Sequence, residues 1–229
     1  MQSNQLIATK NCSNVTSIVA VVLGTWLAFV FILGTDGAFV RPPGALPLPI
    51  LVAVTVPIIV FLITFRFSPS FHAFVLSLDL RLATVIQAWR FAGLGFLALY
   101  AYGVLPGLFA WPAGVGDIAI GVTAPWIVLA LIRQPNFVAS PVFTIWNLLG
   151  ILDLVVAVGT GALSSALATG VAGEVTTAPM AQLPLLLIPA YLVPIFVMLH
   201  LAALFQARRL AVTRHSSMLM DPLYCAGKV

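Results

Sequence analysis

Four ionisable side chains fall inside apolar stretches of this sequence, where a charged group needs a specific reason to be present. They are Arg90, Asp117, Asp153 and His200. An ionisable residue at the centre of a lipid bilayer costs roughly 2.5–3.5 kcal/mol on insertion scales. If the arginine and both aspartates are ionised, one cation faces two anions, and a proton or a bound cation should neutralise the surplus charge. These residue types therefore indicate proton- or cation-coupled chemistry inside a membrane.

The two aspartates lie in similar sequence settings, each following the pattern small-x-x-Asp-x-x-x-small. The residues of the two patterns are Gly114, Asp117, Gly121, Gly150, Asp153 and Ala157. On a helix these three positions share one face, so another backbone can approach each aspartate closely. Asp117 has an ordinary structural explanation, since we expect it in the first turns of a helix, where free N–H groups and the helix dipole favour a carboxylate. Asp153 is expected mid-helix, where it pairs with Arg90 as a buried, structural ion pair, stays protonated or lines a hydrated cavity. The last two alternatives are favoured and make it the proton or cation site.

Four other polar side chains are expected to join these aspartates along a substrate or ion path. Depth along the predicted spans puts Arg90, Asn147 and His200 in one layer near the cytoplasmic side. Gln87 precedes Arg90 by three residues and shares its helix face. Arg90 is expected to bind an anionic substrate group or to set the proton affinity of Asp153. The alternative is that its long side chain extends to the membrane interface.

His200 also suggests a second kind of site. A single histidine on an apolar helix is usually hydrogen-bonded structure, but a b-type haem needs two such ligands on facing helices. His72 is the other candidate ligand, and it could pair with His200 only if its helix folds back. No other motif in the sequence requires a cofactor or a metal.

Composition assigns the chain to the membrane proteins. Of its 229 residues, 62% are hydrophobic and 7% are charged, and the mean hydropathy is +1.14. Soluble domains contain about 25% charged residues, so this chain has too little charge to cover a water-facing surface. The net charge of +4 does not indicate nucleic-acid binding, because the basic residues lie at the ends of apolar runs. No polar stretch is long enough to fold separately, which predicts one transmembrane domain over residues 1–229.

The predicted fold is an all-α, polytopic bundle of six transmembrane helices. The spans are expected at about 16–34, 50–66, 82–105, 113–132, 142–163 and 183–206, with a turn from Pro106 to Ala113. Residues 69–81, which follow a capping Ser68, are expected to form an interfacial helix between the second and third spans. The alternative is one long tilted helix. Pro189 and Pro194 should break the sixth span and free backbone carbonyls there.

Charge asymmetry sets the predicted orientation. An even number of spans puts both tails, 1–15 and 207–229, on one side of the membrane. The basic residues on that side are Lys10, Arg66, Arg81, Arg133, Arg208, Arg209, Arg214 and Lys228. Arg41 alone is expected on the other side. The positive-inside rule then predicts a multi-pass protein of the inner (plasma) membrane with cytoplasmic termini.

These observations predict a membrane protein that binds or translocates a small solute, with proton or cation coupling through its intramembrane carboxylates. One alternative is a membrane-bound redox subunit with haem at His200 and His72. Another is a non-catalytic subunit or assembly factor of a larger membrane complex. No catalytic motif is visible, so we do not expect an enzyme. The expected partners are the lipid bilayer, a small-molecule or ion substrate, and further copies of the chain or other membrane subunits.

Overall fold

The computed structural model describes the backbone of residues 2–134 and 136–225, and the side chains of 15–134 and 136–212. Within that part of the chain the protein is all-helical and has no strand. The α-helices are α1 (Gln2–Thr35), α2 (Leu48–Phe67), α3 (Pro69–Ser77), α4 (Leu80–Gln87), α5 (Leu94–Ala101), α6 (Gly107–Arg133), α7 (Pro141–Ala166) and α8 (Val193–Cys225).

Six helical segments among the described residues are long and apolar enough to cross a membrane, as the sequence predicted. Their bounds are Val15–Thr35, Leu48–Phe67, Leu80–Ala101, Gly107–Arg133, Pro141–Ala166 and Ile188–Val212. The backbone helices α1 and α8 continue beyond these bounds into the predicted tails, so residues 2–15 and 207–225 are helical rather than irregular. The side chains of Lys10, Arg214 and Lys228 lie outside the described residues.

The segment from Pro69 to Ala101 is not one continuous helix. Ser68 begins α3 by accepting a hydrogen bond from the Phe71 amide (3.3 Å), and α3 ends at Ser77. Asp79 then begins α4 by accepting from the Arg81 amide (2.8 Å). Such side-chain caps satisfy N–H groups that lack partners inside the helix. The prediction of a separate short helix is therefore confirmed, and the alternative of one long tilted helix is wrong.

The start of α6 differs from the sequence prediction and changes the depth of Asp117. We expected a turn from Pro106 to Ala113, but the helix already begins at Gly107 and continues through Pro112. Pro106 precedes the helix with an extended backbone, and a proline near a helix start removes only one helical hydrogen bond. Asp117 therefore lies ten residues into α6, roughly 15 Å along its axis. The helix-start explanation for its carboxylate no longer applies.

The sixth span begins later than expected and is irregular at its start. We predicted helix from about residue 183, but residues 183–186 form turns, and a π-helical turn (Ile188–Leu192) precedes α8. Pro189 lies inside this turn and Pro194 just after it, so two backbone N–H donors are missing there. Insertion of a π-turn is a common way for a helix to accommodate such a disruption. The two prolines therefore coincide with an irregular first turn, from which the span continues as one helical segment to Val212.

Four helices enclose the polar residues of the bundle. α6 contacts the α4–α5 segment on one side and α7 on the other, and α7 contacts α8. Large apolar side chains close the interfaces at both ends: Phe143 and Leu131 at one end, and Phe96 and Phe109 at the other. α2 packs against α8 through Val54, while α1 contributes little buried surface. The layer between the two apolar clusters is the place where the ionisable side chains meet.

Candidate functional site: an arginine between two carboxylates

Arg90 is the centre of the polar layer. It lies in a 3₁₀ segment (Ala88–Gly93) that joins α4 to α5, and its side chain has no exposed surface. The segment presses its backbone against α6 at Gly121, where a Cβ atom would overlap the backbone of Arg90 and Phe91. This close approach holds the guanidinium between α6, α7 and α8. The alternative in which Arg90 extends to the membrane interface does not occur.

The guanidinium joins the two aspartates. Its Nε donates to Asp117 Oδ1 at 2.7 Å, and its Nη2 donates to Asp153 Oδ2. Its Nη1 donates to the Gly150 carbonyl and to His200 Nε2, each at 3.2 Å. Arginine offers five N–H donors in a rigid planar fork, so one side chain can fix groups on three helices at once. The arrangement is a buried Asp–Arg–Asp triad with one cation and two carboxylates.

The hydrogen bonds of His200 define its tautomer. Arginine has no acceptor, so Nε2 of His200 must accept from Arg90 and cannot carry a proton. The remaining proton is therefore on Nδ1, which donates to Asn147 Oδ1 at 2.9 Å. Asn147 in turn donates through Nδ2 to the Phe143 carbonyl at 2.8 Å. This chain of bonds requires a neutral imidazole, so His200 adds no charge to the triad.

The small residues of the two aspartate patterns allow these contacts. A Cβ atom on Gly116 would overlap the Asp153 carboxylate, and one on Gly150 would overlap the His200 ring. Glycine at these two positions therefore lets the side chains of facing helices reach the α6–α7 interface. The predicted close approach of another backbone is found on α6, at Gly121, whereas on α7 the group that approaches Gly150 is the His200 side chain. Gly116 was not part of the predicted pattern.

Gln87 lies beside the triad but is not bonded to it. Its Nε2 donates to the Phe196 carbonyl at 3.2 Å, and the ring of Phe196 lies 6.0 Å from the Arg90 guanidinium carbon. The side chain is 1% exposed, and its Oε1 has no hydrogen-bond partner within the described part of the chain. The structure thus brings all six predicted site residues into one neighbourhood, five of them in a continuous hydrogen-bonded network.

The residues present do not fit a haem. His72 lies on α3, where its ring packs on Phe65 with 4.6 Å between ring centroids. Both ring nitrogens of His200 are engaged, and the guanidinium of Arg90 lies where an iron atom would have to bind Nε2. Across residues 15–134 and 136–212, no cluster of three or more His, Cys, Asp or Glu side chains could hold a metal ion.

A cavity of about 120 Å³ reaches the triad from one end of the bundle. Its wall includes Asp117 but not Asp153, and α2, α6, α7 and the π-helical turn all contribute to it. Phe96 and Phe109 lie on the wall with their rings edge to face, 5.3 Å between centroids. At the loop end, Arg41 is the other charged residue of the wall in the described structure. Arg41 was not among the predicted site residues, although the sequence analysis singled it out as the one basic residue expected on its side of the membrane.

Two loops form the mouth of this cavity. Ser165 donates to the Ala45 carbonyl at 3.0 Å and so ties the end of α7 to the α1–α2 loop. In the following loop, the Glu174 carboxylate accepts from the amides of Thr169 and Gly170 at 2.8 and 2.7 Å. These backbone hydrogen bonds hold the pKa of Glu174 below its usual range. Glu174 therefore stabilises the conformation of its own loop and is not part of the site.

The fold and site define an all-helical protein with six helices able to cross a membrane and a buried charged triad beside a cavity. The chain belongs to the family of the domain of unknown function DUF8737, which matches residues 47–208. That range contains every member of the triad network and excludes all of α1 and the end of α8. No curated protein and no solved structure matches the chain.

Proposed function

We propose that this protein is a solute transporter of the inner (plasma) membrane, with cytoplasmic termini. It binds a small solute in the cavity and translocates it in exchange for a proton or cation at the Asp117–Arg90–Asp153 triad. The six apolar helices and the basic residues at one end of them support the membrane placement and the orientation. The single observation that carries the proposal is a cavity whose wall includes a carboxylate of a buried triad with unequal charge.

The charge balance of the triad supplies the coupling. One guanidinium and two carboxylates leave one negative charge in surroundings from which water is largely excluded. Burial of an uncompensated charge is costly, so the triad favours the uptake of one proton or one cation. A solute that enters beside Asp117 changes this balance, which links solute binding to the release or uptake of the neutralising ion.

The irregular start of the sixth span supplies a candidate moving part. Ile188, Pro189 and Val193 lie on the cavity wall, and the π-helical turn contains the first two of them. Helices that are broken at the bilayer midplane recur at transporter binding sites, since irregular backbone there lines a cavity. A change in this turn would alter the cavity without disturbing the α6–α7 interface.

Reconstituted vesicles test the proposal. Purified protein is inserted into liposomes that contain a trapped pH-sensitive dye. Separate samples then receive an organic cation, a carboxylate, a zwitterion or a sugar. We expect at least one solute class to change the internal pH in vesicles with wild-type protein, and Asp153→Asn to abolish that change because it removes the surplus charge. Asp36→Asn is the matched control, since Asp36 is an exposed residue just beyond the end of α1.

Two results would contradict the proposal. One is that no solute class moves protons in wild-type vesicles. The other is proton-coupled uptake that continues in Asp153→Asn at the full rate and with the full pH dependence. Gel filtration in detergent confirms that each variant is folded before reconstitution, so a lost signal is assigned to the carboxylate.

A further inference from the structure

The cavity wall near the triad combines one carboxylate with aromatic and aliphatic side chains. Asp117 is 14% exposed, and the same cavity wall includes Phe96, Phe109, Leu154 and Val158. The polar wall residues lie towards the mouth, in the loops and at the end of α7: Arg41, Ser165, Thr176 and Thr177. A solute that reaches Asp117 therefore meets a negative charge and apolar contacts, with few groups for further hydrogen bonds.

This chemistry disfavours two classes of solute. An anion would approach a triad that already has surplus negative charge, and four of the five N–H donors of Arg90 are already used. A sugar would lose its hydrogen bonds to water and find few replacements, which is costly for each unsatisfied hydroxyl. A cation with an apolar body binds favourably for two reasons. Asp117 attracts the charge, and the cavity wall removes the apolar body from water.

The paired phenylalanines add a specific attraction for a cation. The faces of aromatic rings attract quaternary or protonated amines, and such contacts recur in sites for alkylammonium ligands. Phe96 and Phe109 lie edge to face 5.3 Å apart, and both line the cavity. Both rings therefore belong to the same cavity wall as the Asp117 carboxylate.

We infer that the cavity binds a monovalent organic cation with an apolar body, such as a quaternary ammonium, in direct exchange for the proton held by the triad. The inference rests on the proposed function and names its substrate class. With a proton bound the triad is neutral, and with the organic cation bound it is again neutral. With both bound it has one excess positive charge in an apolar environment, so the two exclude each other.

The other groups around the triad do not disturb this exchange. Arg90 faces both carboxylates from the 3₁₀ segment, and His200 faces them from α8 as a neutral imidazole. In the described structure α2 and α5 contribute no charged side chain to the cavity wall, and Arg41 lies at the mouth. The carboxylates are therefore the groups that exchange one proton for one cation.

Equilibrium binding of radiolabelled benzyltrimethylammonium to the full-length protein in detergent tests the inference. We expect saturable binding that weakens about tenfold for each pH unit on the acid side of the transition, as one-for-one competition with a proton requires. Benzyl alcohol and benzenesulfonate, which have the same ring with no charge or a negative charge, should not compete. Calorimetry in buffers of different ionisation enthalpy should detect the release of one proton per bound cation.

Two substitutions and a control locate the binding site. Asp117→Asn leaves one carboxylate for one guanidinium, and we expect at least a hundredfold loss of affinity. Phe109→Leu keeps the charge balance, and we expect a several-fold loss of affinity with an unchanged pH slope. Asp36→Asn should bind like the wild type. If Asp117→Asn does not fold, the proton release of the wild type and the Phe109→Leu measurement still test the site.

The inference is overturned if benzyltrimethylammonium binding is absent or independent of pH, or if Asp117→Asn retains full affinity. It is also overturned if benzyl alcohol competes as strongly as the unlabelled cation. If another solute class moves protons in the vesicle assay while this cation does not bind, the inference fails and the proposed transporter function stands. If no solute class does so either, both fail.

Discussion

The two aspartate segments of α6 and α7 have the same sequence pattern but different surroundings. Asp117 and Asp153 reach one guanidinium from adjacent helices, and each approaches it across a face of small residues. On α6, Gly121 lies against the backbone of the 3₁₀ segment that contains Arg90, and Gly116 lies against the Asp153 side chain. On α7, Gly150 lies against the His200 ring. One pattern therefore positions the arginine, and the other positions the histidine that fixes its orientation.

The cavity is a second difference between the surroundings of the two carboxylates. Asp117 lies on the cavity wall, whereas Asp153 packs against Gly116 behind it. The cavity thus reaches the first aspartate, while the second, whose side chain is 11% exposed, binds the guanidinium outside the wall of this cavity. The sequence analysis favoured Asp153 as the proton or cation site, and this role stays a prediction. The two copies of the pattern thus place a carboxylate on the same guanidinium, while the helices packed around each copy determine which carboxylate lies on the cavity wall.

Removing the arginine should have the largest effect on this comparison. Arg90→Gln leaves two buried carboxylates without a cation, and loss of one partner of a buried ion pair costs about 3–5 kcal/mol of stability. Unfolding by SDS in mixed micelles measures this free energy. The triple variant that adds Asp117→Asn and Asp153→Asn removes the unpaired charge, and we expect it to recover most of the lost stability.

Two double variants then distinguish the carboxylates. Arg90→Gln with Asp153→Asn leaves Asp117, which can be hydrated from the cavity. Arg90→Gln with Asp117→Asn leaves Asp153, which is 11% exposed but does not lie on the wall of this cavity. We expect the first double variant to be the more stable of the two. Equal stability, or the reverse order, would mean that the cavity does not distinguish the two aspartates.

Much of this site was predictable from the sequence, because charge inside an apolar segment is easily recognised. Depth estimates put Arg90, Asn147 and His200 in one layer, and His200 contacts both of the others. The depth of Asp117 was missed, since Pro106, Gly107 and Pro112 together are typical of a turn. Helix forms there because Pro106 precedes the first turn and Pro112 removes a single bond.

The cavity could not have been predicted from local pattern. Its wall joins residues of the α1–α2 loop to residues near the end of α7, more than 100 positions later in the chain; the Ser165–Ala45 bond is one such contact. No periodicity in either segment indicates which loops meet. The prolines of the sixth span also predicted an irregularity there. Only the packing of that span shows that the resulting π-helical turn lies on the cavity wall.

A glycine comparison tests the backbone contact that is specific to α6. Gly121→Ala places a Cβ atom against the backbone of Arg90 and Phe91, which cannot rotate away. We expect a loss of about 1–3 kcal/mol, as for overpacking of a close interface. Gly159→Ala on α7 is the matched control, since no heavy atom lies within 4 Å of its added Cβ. That change should be neutral or stabilise by up to about 1 kcal/mol.

The stabilities of Gly121→Ala and Gly159→Ala also test how Arg90 is held in position. If Gly121→Ala were as stable as Gly159→Ala, the 3₁₀ segment would not depend on close contact with α6. A destabilised but folded Gly121→Ala should also lose affinity for the organic cation, because displacement of Arg90 moves its bond to Asp117. Binding of benzyltrimethylammonium therefore separates a local packing defect from a shift of the triad.

The smallest expected effect comes from the neutral bond between the two segments. Trp146 Nε1 on α7 donates to Thr123 Oγ1 on α6 at 2.9 Å, on the side of the bundle away from the cavity. Thr123→Val keeps the shape and removes the acceptor, and we expect a loss of about 0.5–1.5 kcal/mol. Thr160→Val is the control, because Thr160 donates to the Val156 carbonyl of its own helix.

Two further measurements separate this bond from the triad. The indole N–H resonance of Trp146 should shift in Thr123→Val alone. Cation binding should stay unchanged, because the Trp146–Thr123 bond joins the same two helices without taking part in the charge balance. A change in cation affinity as large as that caused by Phe109→Leu would mean that the α6–α7 interface, rather than the triad, sets the geometry of the site.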